Sequence, residues 1–262
     1  MNTSKLILAG LCLISVSFSS CKDDKEDPAP VAGPGAGTVT IDISNVAGTV
    51  NVDETGGTFY TNSSSESFNV TKFKYYISKV QFYKVDALIY EMPESYFLVD
   101  ESNQVTTKLE IPDVPAGSYT SVRFTLGVDS TRNVTGAQTG ALDPANGMFW
   151  TWSSGYIFFK LEGKSPASSQ VDSSYIYHIG GFKNANNTNA IREVEIDFLG
   201  DSLIVNGPRA AEIHVFADVL KVFSGPYTIS LAALNTQMGQ GGNAIKIADN
   251  YAKMFTFDHL HN

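Results

Sequence analysis

Cysteine is scarce in this sequence, and the position of the few cysteines is informative. Only two are present, Cys12 and Cys21, and both lie close to the N-terminus of the 262-residue chain. Charged residues are also few, at 17%, and the net charge is −9. These values exclude a charged helical bundle and a nucleic-acid-binding surface, because phosphate contacts require clustered lysine and arginine. A hydrophobic fraction of 43% excludes a disordered chain.

The N-terminus has the pattern of an export signal. Lys5 precedes an apolar run over residues 6–18, which is too short to span a bilayer and is typical of a signal peptide. The run ends in Phe18-Ser-Ser-Cys21, which resembles the lipobox of bacterial lipoproteins. We expect residues 1–20 to be removed and Cys21 to be acylated, which would anchor the chain in the outer membrane. An ordinary signal peptide with an incidental cysteine is the alternative.

Residues 21–37 predict a flexible tether. A charged stretch over residues 22–27 precedes a segment rich in proline, glycine and alanine, with too little apolar surface to fold. Its Lys-Asp-Asp start resembles the signal by which Bacteroidetes export lipoproteins to the cell surface; a solvated linker is the alternative. With Cys12 removed and Cys21 acylated, the folded domain has no thiol. Any metal site in it must use imidazole, carboxylate, thioether or an unusual ligand.

Residues 38–262 predict one all-β domain. Short segments of alternating polar and apolar residues are separated by turns, which favours an antiparallel β-sandwich of the immunoglobulin-like or jelly-roll-like kind. Strands do not alternate with helices, so a parallel α/β fold is excluded, and at most one or two short helices are expected, one of them within residues 244–253. The predicted strands cover residues 38–43, 73–83, 121–128, 156–161, 175–179, 192–198, 212–222, 227–231 and 254–257.

One long segment without strand pattern interrupts this series at residues 129–148. Loops of about twenty residues are uncommon in compact domains and are usually functional or disordered. This one leads directly into Trp150 and Trp152, the only tryptophans of the chain. We therefore expect an ordered, functional loop. The structural alternative is that both tryptophans anchor the loop to the core.

Four histidines are the candidate metal ligands. His259 and His261 are two residues apart, so in an extended chain both imidazoles project to the same side and offer half a site for copper, zinc or nickel. A frayed, exposed tail is the alternative. His214 shares a strand face with Asp218, which would suit a ligand backed by a carboxylate. His178 lies at the end of a predicted strand. For an isolated strand histidine, a satisfied structural role is the alternative.

Signatures of common enzymes are missing from the sequence. It contains no phosphate-binding glycine loop, no dinucleotide fingerprint, no His-Glu-x-x-His and no Gly-x-Ser-x-Gly. Adjacent carboxylates occur at Asp53, Glu54, Asp100 and Glu101, where solvated turns are the expected role. A hydrolase with dispersed carboxylates remains an alternative, because a catalytic pair converges only in space. We expect a protein that is not an enzyme.

Three segments carry distinctive motifs: 124–128 (Phe-Thr-Leu-Gly-Val), 147–162 with its Met-Phe-Trp-Thr-Trp-Ser-Ser-Gly-Tyr block, and 177–181 (Tyr-His-Ile-Gly-Gly). They resemble the MbnP-like family, whose members are periplasmic or lipid-anchored and are named for a partner of the methanobactin copper-chelator system. The resemblance implies copper binding. It further implies that a dihaem peroxidase-type (MbnH-like) partner oxidises a tryptophan to kynurenine, which joins histidines as a ligand. Trp150 is the first choice for this modification, and His178 matches the family histidine.

Residues and resemblance together predict a lipid-anchored envelope protein that binds or handles copper. His178 is the leading ligand, with His214, His259 and His261 as further candidates, and Trp150, Trp152 and Tyr156 line the site. The alternative is a surface module without metal, which binds glycan or protein on an aromatic platform.

Overall fold

Two large β-sheets form the framework of the computed structural model, which describes residues 35–136, 138–151, 154–183, 188–207 and 209–262. The predicted signal peptide, Cys21 and most of the tether lie outside these residues, as does Trp152. The strands of the described chain are β1 (Gly37–Ala47), β2 (Val50–Asn51), β3 (Phe59–Thr61), β4 (Ser67–Asn69), β5 (Lys72–Lys84), β6 (Ala87–Glu91), β7 (Tyr96–Asp100), β8 (Lys108–Val114), β9 (Gly117–Tyr119), β10 (Ser121–Leu126), β11 (Phe149–Thr151), β12 (Gly155–Tyr156), β13 (Phe159–Lys164), β14 (Ser174–Ile179), β15 (Arg192–Asp197), β16 (Leu203–Val205), β17 (Ala211–Asp218), β18 (Thr236–Gly239) and β19 (Phe255–His261). Its two helices are α1 (Ser130–Val134) and α2 (Asn243–Tyr251).

The first of the two large sheets has five strands in the order β19-β17-β1-β2, with β8 also paired to β1. Its strands alternate: on β1, Val39, Ile41 and Ile43 are buried, and the residues between them are half-buried. Side chains of a strand point to opposite faces in turn, so one face of this sheet packs into the core and the other meets solvent. Strands β1 and β17 run parallel, whereas β1–β8 and β17–β19 are antiparallel.

The larger sheet has eight strands, with β15-β10-β5-β13-β14-β18 in order and with β6 and β7 paired to β5. The pairing is antiparallel except between β14 and β18, which run parallel. Aromatic side chains fill the space between the two large sheets. Phe255 of β19 contacts the rings of Tyr75 on β5 and Phe124 on β10, with centroids 5.7 and 5.1 Å apart. Each fully buried ring contributes about 1.5–3 kcal/mol through the hydrophobic effect.

The predicted all-β sandwich is confirmed, with two parallel strand pairs added to the expected antiparallel pattern. The predicted helix is also present as α2. Among the described residues, neither helix has the length and apolar character needed to cross a membrane.

Three strand predictions are wrong in full or in part, and one of them, 156–161, is divided between β12 and β13 because Ile157 and Phe158 lie outside both strands. Residues 227–231 form no strand beyond one isolated bridge from Thr228 to Ser224. The reason is that the Asn250 side chain takes the place of a partner strand: it accepts from the amide of Tyr227 at 2.9 Å and donates to the carbonyl of Tyr227 at 2.7 Å. The segment 212–222 ends as a strand at Asp218, whose carboxylate caps a 3-10 turn over the remaining residues.

The long loop is ordered by side-chain caps. Asp129 accepts hydrogen bonds from the amides of Thr131 and Arg132 and so begins α1. Asn133 then donates to the Val128 carbonyl at 2.6 Å and accepts from the Tyr156 amide at 2.9 Å, which ties the loop to β12. Buried backbone groups need such partners, and here two side chains supply them.

Candidate metal centre

A β-bulge in β19 decides which way its histidines face. Ala217 of β17 pairs with Phe255 and Val215 with Phe257, but His214 pairs with His259, so Asp258 is an extra residue without a partner on β17. A bulge of this kind shifts the alternation of a strand by one residue. Phe255 and Phe257 therefore pack against the core, whereas His259, which follows the bulge, is exposed.

The register of four strands then aligns two rows of side chains across the outer face of the five-stranded sheet. Neighbouring strands lie about 4.7–4.9 Å apart, so members of one row are close neighbours. The first row, from β8 to β19, is Lys108, Asp42, His214 and His259. The second row, in the same order, is Glu110, Thr40, Glu212 and His261.

His214, His259 and His261 form one cluster where these rows meet. The rings of His214 and His259 are stacked, with centroids 4.3 Å apart and an interplanar angle of 5°. The His261 ring stands nearly perpendicular to both, at 5.0 and 4.8 Å. The Nε2 atoms of His259 and His261 are 3.2 Å apart, and one ring nitrogen from each of the three residues lies within 4.8 Å of the others.

These separations suit a metal ion. Imidazole nitrogens bind zinc at about 2.0–2.1 Å, so two nitrogens on one ion of this size are separated by about 3–4 Å. The His259–His261 pair already meets this requirement. No separation between the three ligand nitrogens exceeds 4.8 Å. Because His214 is half-buried and the other two histidines are exposed, the cluster is open to solvent on one side.

Carboxylates surround the imidazoles. Asp258 places Oδ2 3.0 Å from Nδ1 of His259, and Glu212 places Oε2 3.3 Å from Nε2 of His214. Asp42 is more distant, with Oδ2 3.9 Å from Nδ1 of His214.

One cation, Lys108, also borders the cluster. Its Nζ is 2.6 Å from Oδ2 of Asp42, and this hydrogen bond raises the pKa of the lysine. Lys108 therefore engages the Asp42 carboxylate and not the imidazoles.

His178 lies elsewhere, on the outer face of the eight-stranded sheet. It is on β14 opposite Lys160 of β13, and its Nε2 is 2.6 Å from Oε1 of Glu162. The hydrogen bond from His178 is the main cause that lowers the pKa of Glu162. On its other side, His178 is in register with Met238 of β18. The structure thus brings together three of the four predicted histidines and leaves His178 with a carboxylate partner.

Trp150 lies on the same outer face as His178. Its indole ring covers Gly180, where an added Cβ would lie 2.8 Å from the ring, so only glycine fits. Trp150 also packs partly against the core and lines an open pocket of about 470 Å³ together with Ser154, Met238, Gly239 and Gln240.

Tyr156, expected to line the site, is fully buried. Its hydroxyl donates to the carbonyl of Leu142 at 2.6 Å, and its ring meets Tyr76 and Phe149 edge-on. Tyr156 therefore anchors the long loop from within. Trp152 lies outside the described residues, so the predicted tryptophan pair is described only through Trp150.

Sequence reasoning missed the carboxylates at the cluster and placed one incorrectly. Asp218 was expected to support His214, but its carboxylate accepts from the amides of Leu220 and Gly48. Glu212 takes that place, and its position two residues before His214 on a predicted strand was a usable signal. Asp42 gave no such signal, because it meets His214 only through the parallel pairing of β1 and β17.

Fold and site together define an all-β sandwich protein with a three-histidine surface cluster. The MbnP family model matches residues 36–244, and the chain belongs to this family. MbnP from Methylosinus trichosporium has a similar structure, with a TM-score of 0.51 and 16% sequence identity over 79% of this chain and 81% of that chain. This likeness shows a shared fold. No curated protein matches the chain. His259 and His261 lie beyond the matched residues.

Proposed function

We propose that this protein binds copper at the cluster of His214, His259 and His261. The observation that carries the proposal is the convergence of three imidazole nitrogens to within 4.8 Å of one another. Membership of the MbnP family supports a methanobactin-related, copper-associated role. Imidazole is a ligand type that suits copper, and the predicted absence of thiol from the mature chain leaves imidazole as the principal donor.

The surroundings of the cluster fit such an ion. Metal-binding histidines usually hold their second ring nitrogen in a hydrogen bond to a carboxylate, which fixes the tautomer and the ring orientation. Asp258 does this for His259, so Nε2 of His259 is the nitrogen left to face an ion. A bound copper ion would supply Lewis-acid and one-electron redox chemistry. The chain's own part is to hold the imidazoles in place and to leave one side open for exchange.

A copper titration followed by electron paramagnetic resonance tests this proposal. We expect one copper per chain in the wild type, loss of that site in the double variant His259→Ala with His261→Ala, and no loss in the matched variant His178→Ala. If copper binding is lost in His178→Ala and retained in the double variant, the site lies instead near His178 and Trp150, on the outer face of the eight-stranded sheet. A wild-type protein that binds no stoichiometric copper would refute the proposal.

The Trp150 face is our proposed site of tryptophan modification. Trp150 is half-buried at the rim of an open pocket, where an oxidising partner can reach it, and His178 lies on the same face. We propose a dihaem peroxidase-type partner as the source of oxidising equivalents. Mass spectrometry of native protein should find the mass of kynurenine at the Trp150 or Trp152 position. Unmodified tryptophan in protein from copper-limited cells would contradict this step.

We further propose that the protein acts at the outer membrane, held by acyl chains on Cys21, and that it binds its ligand without catalysing a reaction. Two acyl chains hold a domain stably at a bilayer. The Cys21→Ala variant should lose label from radioactive palmitate and leave the membrane fraction. Retention of the label in that variant would refute the anchor. The glycan-binding alternative is weakened because Tyr156 is buried and gives no surface platform.

A further inference from the structure

We infer that the end of the sandwich where the chain enters from the tether rests on the surface of the bilayer. The contact is made by five exposed apolar side chains, which we call the apolar end: Val85, Leu88, Ile89, Leu199 and Ile204. This inference rests on the proposed acyl anchor at Cys21. It goes further, because it assigns a membrane-binding surface to the folded domain itself and an orientation of the domain on the bilayer.

The chain enters the domain beside the turn between β8 and β9. A Cβ atom added at Gly35 would lie 3.3 Å from the Cβ atom of Ala116 in that turn, and Gly37 pairs with Val114 at the end of β8. In the predicted mature chain, only fourteen residues (21–34), beginning with the acylated cysteine, precede Gly35. A segment of that length extends at most about 50 Å. The β8–β9 end of the domain is therefore the end held nearest the bilayer.

Thr120 connects the apolar end to this entry point. Strand β9 leads from the β8–β9 turn to Thr120, a path of about 13 Å at the rise of a strand. The hydroxyl of Thr120 accepts a hydrogen bond from the amide of Val85 at 2.7 Å. Its carbonyl accepts one at 3.0 Å from the amide of Phe198, which directly precedes Leu199. Ile204 is on β16, which pairs with β9 itself. The apolar end and the entry point therefore lie at the same end of the sandwich.

Two members of the apolar end have an unusual backbone conformation. Val85 is the first residue of the two-residue loop between β5 and β6, and its φ is 56°. Glycine usually occupies such a position, and a β-branched residue there is an outlier. Leu199 also has a φ of 56°. Stability alone would favour glycine or asparagine at both positions, so exposed apolar side chains on this strained backbone indicate a function.

A β-bulge exposes two further members of the apolar end. Leu88 pairs with Tyr83, and Tyr90 pairs with Phe82, so Ile89 is an extra residue in β6. Leu88 and Ile89 are 48% and 46% exposed, whereas Tyr90 is buried. Consecutive side chains of a regular strand point to opposite faces, and the bulge interrupts this alternation. Two adjacent aliphatic side chains therefore project outward beside the β5–β6 loop.

A lipid surface is the partner that this chemistry fits. Lys84 and Asp86 flank Val85 with opposite charges, so the tip of the hairpin has no net charge with which to attract an anionic or a cationic partner. Aliphatic side chains without a basic cluster suit the boundary between headgroups and acyl chains of zwitterionic lipid. The anchor also holds the apolar end near the bilayer, so a weak apolar contact becomes an intramolecular one at high effective concentration.

Quenching by brominated lipid tests this contact. Leu88→Cys places a thiol in the apolar end, and the matched Val171→Cys places one in the exposed loop between β13 and β14, at the opposite end of the eight-stranded sheet. Each lipidated chain is labelled with bimane in phosphatidylcholine vesicles that contain brominated acyl chains. We expect about twofold or stronger quenching at residue 88 and none at residue 171, because interfacial apolar groups reach about 5–10 Å into the bilayer. High salt should not change this result, because salt screens charge and not apolar contact.

A double variant removes the apolar character and keeps the fold. Val85→Asn with Leu199→Asn introduces, at both positions, a residue that tolerates a positive φ, so stability should not fall. In the Leu88→Cys protein this change should remove at least about half of the quenching, since the interfacial contact scales with apolar area. Val171→Asn in the same protein should remove none. Urea unfolding checks that each variant is folded.

Two results would overturn the inference and leave the anchor intact. One is equal quenching at residues 88 and 171, including none at either. The other is formation of disulfide-linked dimers of Leu88→Cys without quenching, which would assign the apolar end to a second copy of this chain. A wild-type chain that carries no acyl label and stays out of the membrane fraction fails the proposed anchor itself.

Discussion

The outer faces of the two large sheets use histidine in different ways. On the five-stranded sheet, three imidazoles face one another, with ring centroids 4.3–5.0 Å apart. On the eight-stranded sheet, His178 faces Lys160 across the ladder and bonds to Glu162 at 2.6 Å. A single imidazole paired with a single carboxylate is explained by a structural role. In the cluster, His214 and His259 also have carboxylates beside them, but there three imidazoles converge, which is the arrangement that we propose for a shared copper ion.

The comparison also shows that cross-strand register, more than local sequence, assigns these roles. His178 belongs to the segment that resembles the family, whereas His259 and His261 lie beyond the family match. Yet the strand partners of His259 and His261 produce the cluster.

Replacing His214 with alanine and replacing His178 with alanine should change different properties, copper affinity in the first case and stability in the second. His214→Ala removes the central imidazole, and we expect copper affinity to fall at least about a hundredfold, with little change in stability. His178→Ala should leave copper affinity within about twofold of the wild type, but lower the free energy of unfolding by at most about 1 kcal/mol, because solvent partly screens its pair with Glu162. Copper titration and urea unfolding of both variants provide the measurements. Similar losses of copper affinity in both variants would contradict the difference proposed between the two outer faces.

Gly180→Ala should destabilise the eight-stranded face. The new methyl group would lie 2.8 Å from the Trp150 ring and 2.4 Å from the carbonyl oxygen of Tyr156. Overpacking of this kind costs about 1–3 kcal/mol, and tryptophan fluorescence should change as the ring moves. Gly57→Ala is the control, because its nearest neighbour is a threonine side chain at 3.3 Å. Unchanged stability of Gly180→Ala would show that Trp150 is not packed on the glycine.

The Glu162–His178 pair should make stability depend on acid. The folded-state pKa of Glu162 lies below its usual value of 4.5, chiefly because of the hydrogen bond from His178. Its contribution is therefore present above pH 4.5 and is lost as the pH falls through the lowered folded-state pKa. Urea unfolding between about pH 3 and 7 should show that the free energy of unfolding falls less steeply with acid in Glu162→Gln than in the wild type. The same pH dependence in both proteins would mean that the Glu162–His178 pair adds no stability.

Met238→Ala should have the smallest effect. Met238 is 55% exposed on the short edge strand β18. Exposed substitutions usually change stability by no more than about 0.5 kcal/mol. Copper binding at the three-histidine cluster should also be unchanged, which isothermal titration measures directly. A large loss of copper would show that the Trp150 pocket contributes a sulfur ligand.

Much of the fold was predictable from the sequence, because alternation of apolar residues is a local signal. The segments 73–83 and 175–179 appear as strands β5 and β14. Residues 227–231 failed because a side chain, that of Asn250, replaced a strand partner, and alternation cannot reveal such a replacement.

The site was predictable only in part. The shared side of His259 and His261 followed from their spacing, and the strand β19 rules out the frayed-tail alternative. Their meeting with His214 could not be predicted, because it depends on an antiparallel register that pairs His214 with His259, which follows it by more than forty positions in the sequence. Asp42 is more distant still along the chain and enters through a parallel pairing.

The bulge at Asp258 determines which side chains of β19 face the core and which face outward. Phe255, Phe257, His259 and His261 are all odd-numbered, so an unbroken strand would place all four on one side. The extra residue divides the strand into two parts: before it the phenylalanines face the interior, and after it the histidines face outward. Removing Asp258 would restore a regular ladder and keep both histidines outward, because Phe257 and His259 would then be direct neighbours. Straightening the strand with Asp258 in place would bury the imidazoles instead.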